Sequence, residues 1–140
     1  MIFEYFRFWK WSQTGVTIPR FFQDSFMNIE TLLQAIKDQP DAVAFSDVIA
    51  VIESSYQFTE SAFRNGETYN EAGSNNGSCK IFAFAKLNGL SVSETLACFG
   101  DYYRKDVLQN PDGQDHQNIR NFMVTGWEGV EFEAEALTAN

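Results

Sequence analysis

From Met27 onward, apolar residues recur at helical spacing along most of the chain, and the predicted elements follow from that spacing. Ile29, Leu32, Leu33 and Ile36 fall at i, i+3, i+4 and i+7, one face of a helix that Asn28 can cap and Pro40 must end. Phe45, Val48, Ile49, Ile52 and Tyr56 repeat the stripe behind Asp41, a second capping residue, which predicts a helical hairpin on a shared core. The segments Phe58 to Phe63 and Glu67 to Tyr69 flank Asn65-Gly66, a dipeptide that tolerates positive φ and suits the type I′ turn of a β-hairpin. Ser78 can cap a helix carrying Ile81, Phe82, Phe84 and Ala85 inward and ending at Gly89. Ser91 and Glu94 have capping-box spacing ahead of a stripe of Val92, Leu96, Phe99 and Tyr103.

Asn110-Pro111-Asp112-Gly113 then breaks the chain, and Asp115 is placed to cap a last helix with Ile119, Phe122 and Met123 inward and Gly126 at its end. Beyond Gly126 the period changes to two. Val130, Phe132, Ala134 and Ala136 alternate with Glu131, Glu133 and Glu135, as in a strand with one packed and one solvated face, whose glutamates would discourage edge pairing. About five helices with a small antiparallel sheet, a hairpin around Asn65-Gly66 plus a C-terminal strand, give an α+β class.

Composition changes at Met27. Residues 1–26 hold nine of the 22 aromatic residues and a charge of +1, against −10 for residues 27–140. Glu4, Arg7 and Lys10 interrupt the apolar run that a secretory signal needs, and the charges do not gather on the one face that an interfacial helix needs. Residues 1–26 are therefore read as an atypical aromatic-rich leader ahead of Met27 as the natural start, and residues 27–140 as one domain. A domain of this length can bury a core without staples.

The net charge of −9 opposes a nucleic-acid partner, because phosphates would be repelled, and no apolar run is long enough to span a bilayer. Two thiols, Cys79 and Cys98, make no disulfide framework and point to the reducing bacterial cytoplasm. With one histidine and two separated cysteines a closed zinc site cannot be assembled, and no carboxylate cluster has the spacing of a calcium loop, so no metal or organic cofactor is expected.

Three groups of residues could carry chemistry. The polar stretch Gly73-Ser-Asn-Asn-Gly-Ser-Cys-Lys80 runs into a helix, so free N–H groups near Gly73, Asn75, Gly77 and Ser78 could meet a small anion with Lys80 beside it. It is not a phosphate-binding P-loop, since Gly73 and Gly77 enclose only three residues; the same glycines and serine would also serve a tight connection. Cys79 in the first turn of that helix, with His116 as base, would make a thiol-dependent hydrolase or transferase. Its Gly-Ser-Cys run resembles that of papain-like proteases, which are larger and two-lobed. His116, Asn118, Arg120 and Trp127 form a third group, able to line a pocket or to tie helix ends together, and in so acidic a chain an internal carboxylate is the default partner of Arg120.

Phe63-Arg-Asn-Gly66, Asn70, Gly73, Asn75, Gly77-Ser-Cys-Lys80-Ile-Phe-Ala-Phe-Ala85, Thr95-Leu96, Phe99-Gly100, Tyr103-Arg104, Asp106-Val-Leu108, Asn110-Pro111, Gly113, Asp115 to Phe122 and Gly126-Trp127 together resemble the HopJ family of type III effectors, from Met27 to about Leu137. The resemblance implies an effector-like protein, delivered in the family's namesake into a plant cell by a type III apparatus. It attaches no catalytic role to Asn65, Asn70, Gly73, Asn75, Ser78, Lys80, His116, Asn118, Arg120 or Trp127. The expected activity is therefore binding of a protein partner or a small anionic ligand across Gly73 to Lys80 and His116 to Arg120.

Overall fold

The computed structural model describes residues 27–140, so the leader reading for residues 1–26 lies outside the described residues. Helix α1, Ile29–Asp38, starts where Asn28 Oδ1 accepts from the Thr31 N–H at 2.8 Å, and it turns Leu32 and Ile36 into the core. Glu30 in its first turn and Lys37 in its last complement the helix dipole.

Three capping expectations are corrected. Asp41 does not cap the next helix. Pro40 restarts the chain in a 3-10 turn, Pro40–Ala42, and α2, Phe45–Ser55, begins only after Ala44, with no side-chain cap. Arg104 explains the delay, because its guanidinium donates to the Pro40 carbonyl at 3.0 Å and to the Val43 carbonyl at 2.6 Å, holding that turn in place. Ser78 lies inside α3, Asn76–Leu87, whose cap is Asn75 in the left-handed region at φ 55°. Asp115 likewise gives way to His116, at φ 52°, ahead of α5, Gln117–Thr125. The Asp115 carboxylate accepts from Arg120 at 2.7 Å instead. The Ser91/Glu94 capping box forms as read, ahead of α4, Val92–Ala97.

The β-structure divides into two small sheets rather than one. Strand β1, Tyr56–Phe58, pairs antiparallel with β5, Leu137–Ala139. The second sheet has the order β3-β2-β4, with β2 Phe63–Asn65, β3 Thr68–Asn70 and β4 Val130–Phe132. Phe58 thus belongs to a different sheet from Phe63. Asn65 is the last residue of β2, opposite Thr68, and the two-residue turn is Gly66-Glu67. Gly66 has φ +61° and Glu67 is not in the left-handed region, which makes the turn type II′ rather than I′. The single alternating C-terminal strand is also corrected. It bends at Glu133-Ala134, leaving Ala134 exposed, so that β4 and β5 serve different sheets.

Helix α3 is the centre of the core, burying Cys79, Ile81, Phe82, Ala83, Phe84 and Ala85. Phe82 touches Phe99, Phe122, Phe63 and Trp127 at ring-centre distances of 5.5, 4.9, 6.0 and 6.3 Å. Burying such a side chain contributes roughly 1.5–3 kcal/mol before packing is counted. On α5, Ile119 and Phe122 face inward as read, but Met123 is 42% exposed. The stripe beginning at Val92 ends with α4; Phe99 follows in a turn, and Tyr103 belongs to a π-helical segment, Tyr102–Val107.

Gly100 makes that turn possible. It has φ +61°, and a Cβ there would lie 2.7 Å from the Phe45 backbone nitrogen. Gly89 has a similar φ of +65° and nothing within 4 Å. Gly89→Ala is expected to cost about 1 kcal/mol of conformational strain, and Gly100→Ala at least about 2 kcal/mol more because α2 must move. Urea unfolding of the two variants side by side separates the conformational from the steric part.

Candidate functional site

The asparagines of the three motif stretches meet inside the protein. Asn70 and Asn118 exchange amide hydrogen bonds, Nδ2 of Asn118 to Oδ1 of Asn70 at 2.9 Å and Nδ2 of Asn70 to Oδ1 of Asn118 at 3.2 Å. Asn75 donates to Asn70 Oδ1 at 2.7 Å, and Asn65 donates to the Asn118 carbonyl and side-chain oxygens at 2.8 and 3.0 Å. Asn121 reaches Thr68 Oγ1 at 2.6 Å. The hairpin, the start of α3 and the start of α5 are thereby joined through one set of amides, of which Asn65, Asn70 and Asn118 are buried and Asn75 is at the surface. The cluster also accounts for the left-handed Asn75, whose side chain is held on Asn70.

The Gly73 to Lys80 stretch has its charges matched internally. Lys80 Nζ lies 2.9 Å from Glu53 Oε2 on α2 and 4.9 Å from the centre of the Phe58 ring. At the loop, the Glu60 carboxylate accepts from Asn76 Nδ2 at 3.2 Å and lies against Gly73, where a Cβ would be 3.3 Å from Glu60 Oε1. A carboxylate of the protein thus stands beside the start of α3, where a ligand anion was expected. Gly77 faces Phe45, and Ser78 lies in the first turn of α3.

Cys79 is 1% exposed, and its thiol donates to the Ser61 carbonyl at a sulfur–oxygen distance of 3.7 Å. Burial pushes its pKa up, outweighing the lowering effect of the Ser61 hydrogen bond and of Lys80. His116 makes its contacts elsewhere. Its Nε2 lies 3.0 Å from Asp106 Oδ2 and 3.9 Å from Asp115 Oδ2, and its ring sits 5.2 Å from that of Tyr102. The nucleophile and base of a thiol enzyme therefore have separate partners, and the sulfur is not held as thiolate.

Arg120 clamps the 110–115 loop. It donates to the Asp115 carbonyl at 2.6 Å and to the Asn110 carbonyl at 2.9 Å, besides pairing with the Asp115 carboxylate, whose pKa this hydrogen bond lowers. Gly113 leaves room for the guanidinium, since a Cβ there would lie 2.6 Å from it. Trp127 Nε1 donates to the Leu90 carbonyl at 2.9 Å, and its indole packs on Phe122 at 5.1 Å.

The family model described as HopJ type III effector protein matches residues 29–137, nearly all of the described fold. The chain belongs to the HopJ family. It is also similar to a solved crystal structure, that of the unknown-function protein VPA0580, at 57% identity and a TM-score of 0.80, over 81% of this chain and 95% of that one. No curated protein matches it.

Two open clefts of this HopJ chain involve residues that motif reading passed over. One, of about 520 Å³, lies between the start of α2 and the π-helical segment, with Phe45, Tyr102, Asp41, Asp101 and Arg104 around it. Its two carboxylates face one guanidinium and the uncapped end of α2, so its charges are close to balanced. The other, of about 500 Å³, lies between the second half of α3 and the bend after β4. Ala83, Leu87, Phe132, Ala136 and Leu137 give it an apolar floor, with Lys86 and Glu135 beside them. Leu87 is 54% exposed there, and its place after Phe84 on α3 was the only sequence signal, one that reads equally as core. Among the described residues, no three His, Cys, Asp or Glu side chains are grouped to hold a metal ion, and no helix is long and apolar enough to cross a membrane.

Removing the Asn118 side chain leaves buried amide groups of Asn65 and Asn70 without partners, so Asn118→Ala is expected to cost about 2–4 kcal/mol. Chemical denaturation measures it, and a double-mutant cycle with Asn70→Ala should show strong coupling. Burial pushes the Cys98 thiol up to about 12, so the fold favours the neutral form. The resulting stabilisation is fully present below the unfolded thiol's pKa of about 8.5 and is lost as pH rises towards 12. Between pH 9 and 11 the native protein should lose about 2 kcal/mol more than Cys98→Ala does, read from unfolding midpoints.

Proposed function

We propose that this HopJ chain works by binding another protein, rather than by holding a small anion or by thiol chemistry. The observation that carries this reading is the internal engagement of the candidate groups. Lys80 pairs with Glu53, Arg120 with Asp115 and loop carbonyls, and Glu60 stands at the glycine-rich loop. An entering anion would have to displace ion pairs and meet Glu60. The buried Cys79, with its raised pKa, likewise lacks the access and thiolate character of a nucleophile. The α3 groove, by contrast, offers apolar surface and an exposed leucine, the composition of a protein contact. The family's description as type III effector supports a partner met after delivery into a host cell.

The test is thermal unfolding of the full chain against phosphates, nucleotides, carboxylates and amino acids. A ligand at about a hundred times its Kd adds roughly 2.7 kcal/mol and a clear rise in midpoint. No rise is expected from any of them. A rise that Lys80→Ala abolishes would restore the anion site. Alkylation of Cys79 in the native protein faster than global unfolding would restore the thiol reading.

A further inference from the structure

Three asparagines stand directly before a glycine, in Asn65-Gly66, Asn76-Gly77 and Asn88-Gly89. That dipeptide carries a reaction of its own, because a glycine nitrogen, with no Cβ beside it, can approach the carbon of the preceding side-chain amide. The backbone nitrogen must be free for this, and the side chain must be able to turn towards it. The fold settles each case separately.

At Asn65 both conditions fail. The side chain is fully buried and donates to Asn118 at 2.8 and 3.0 Å, and the Gly66 N–H is held by the Gly129 carbonyl at 2.9 Å. Asn88, at the end of α3, donates to the Phe84 carbonyl at 2.9 Å and to Tyr56 Oη at 3.2 Å, while the Gly89 N–H is bonded to the Lys86 carbonyl at 3.3 Å. Asn76 differs. Gly77 follows it in the first turn of α3, where N–H groups precede the helix's own acceptors, and among the described residues no acceptor reaches the Gly77 N–H. The Asn76 side chain is tied only at the surface, Nδ2 to Glu60 Oε2 at 3.2 Å. A first turn also opens more readily than a helix centre, which supplies the freedom to reach the attacking geometry.

We propose that Asn76 is a self-modification site, at which the protein converts its own amide to a carboxylate. The Gly77 nitrogen gives up its proton and bonds to Asn76 Cγ; the bond from Cγ to Nδ2 breaks, and ammonia leaves with that proton as a cyclic imide closes. Water then adds to either imide carbonyl and opens the ring to an aspartyl or an isoaspartyl residue, so the net change is hydrolysis of one amide. The product sets a negative charge against the Glu60 carboxylate, which had accepted from Nδ2 and which also lies against Gly73. The positive end of α3 offsets part of that repulsion, but the isoaspartyl form also lengthens the main chain, which a helical turn does not accommodate. The first turn of α3 therefore loosens, as a one-way charge switch in the glycine-rich loop, while the Asn70 and Asn118 pair behind it holds.

The experiment is incubation of the full chain at mildly alkaline pH, natively and in urea, followed by peptide mapping with mass spectrometry that separates aspartyl from isoaspartyl residues. In the native chain, position 76 is expected to react at least about tenfold faster than 65 or 88, since each of those must first open locally. In urea the three should react at similar rates. Gly77→Ala, whose Cβ would lie 3.2 Å from Phe45 Cζ, should slow position 76 markedly; its unfolding midpoint records whether the fold is kept, and the native comparison stands without it. The modified chain, separated by its added charge, should lose hydrogen-exchange protection at the Cys79 N–H, which bonds the Asn75 carbonyl at 3.0 Å, and keep it from Phe82 to Ala85. A native chain intact at position 76, equal or faster reaction at 65 or 88, a rate unmoved by Gly77→Ala, or unchanged protection of Cys79 after modification each overturns the proposal.

Discussion

The reciprocal amide pair of Asn70 and Asn118 is the constraint on which the arrangement of the other elements rests. Two buried amides that satisfy each other tolerate only one relative position of the hairpin and α5, since a displacement of even an ångström would leave donors and acceptors without water and without partners. Asn75 and Asn65 extend the same requirement to the start of α3 and the end of β2. The apolar contacts around Phe82 supply most of the driving force but are less exacting about register, because close packing of aromatic rings has several near-equivalent solutions. The amides select among them.

That selection explains why residues with the look of a binding motif are engaged internally. Asn70, Asn75 and Asn118 set the register, Arg120 fastens the 110–115 loop, Arg104 fastens the turn before α2, and Lys80 ties α3 to α2. Each Arg does so through backbone carbonyls, at loops with few ladder bonds of their own. A planar guanidinium can satisfy several such carbonyls at once, which lysine cannot. In a chain of net charge −9, Lys80, Arg104 and Arg120 thus serve as internal ties.

Helices were legible from the apolar period because one face of each is buried, and Asn28 and the Ser91/Glu94 box were legible because a cap needs only local residues. The failures have one physical source, long-range partners. Asp115 could not be known to face Arg120, nor Asn75 to face Asn70, so the two helix starts differ from the sequence reading by one and three residues. Pro40 and Arg104 together delay α2, and only Pro40 is local. The C-terminal alternation held for Val130 to Phe132 and then failed, because Ala134 is bonded through its backbone to Ser61 instead of continuing the pleat. For the site, the asparagines and Arg120 were found by motif, and the internal carboxylate expected for Arg120 is Asp115, but the asparagines bond one another rather than line a ligand site; Leu87 and Glu60 were not singled out, since neither carries a local signal of its role.

Strand β2 links the polar cluster to the groove. Its inward residues alternate with exposed Arg64, so Phe63 and Asn65 face the same interior, Phe63 onto Phe82 and Phe132, Asn65 onto Asn118. Whatever fixes Asn65 therefore fixes Phe63 two residues away, and through it the aromatic wall that β4 contributes to the groove. Asn65 Oδ1 has no hydrogen-bond partner although the residue is fully buried, a penalty of roughly 1–3 kcal/mol that a smaller apolar residue would avoid. An apolar replacement would remove that penalty but also the two bonds to Asn118, and with them the register of β2. Retaining an imperfectly satisfied amide at that point is physically reasonable only where the position of the strand matters more than its stability, and that position is what gives the groove its shape.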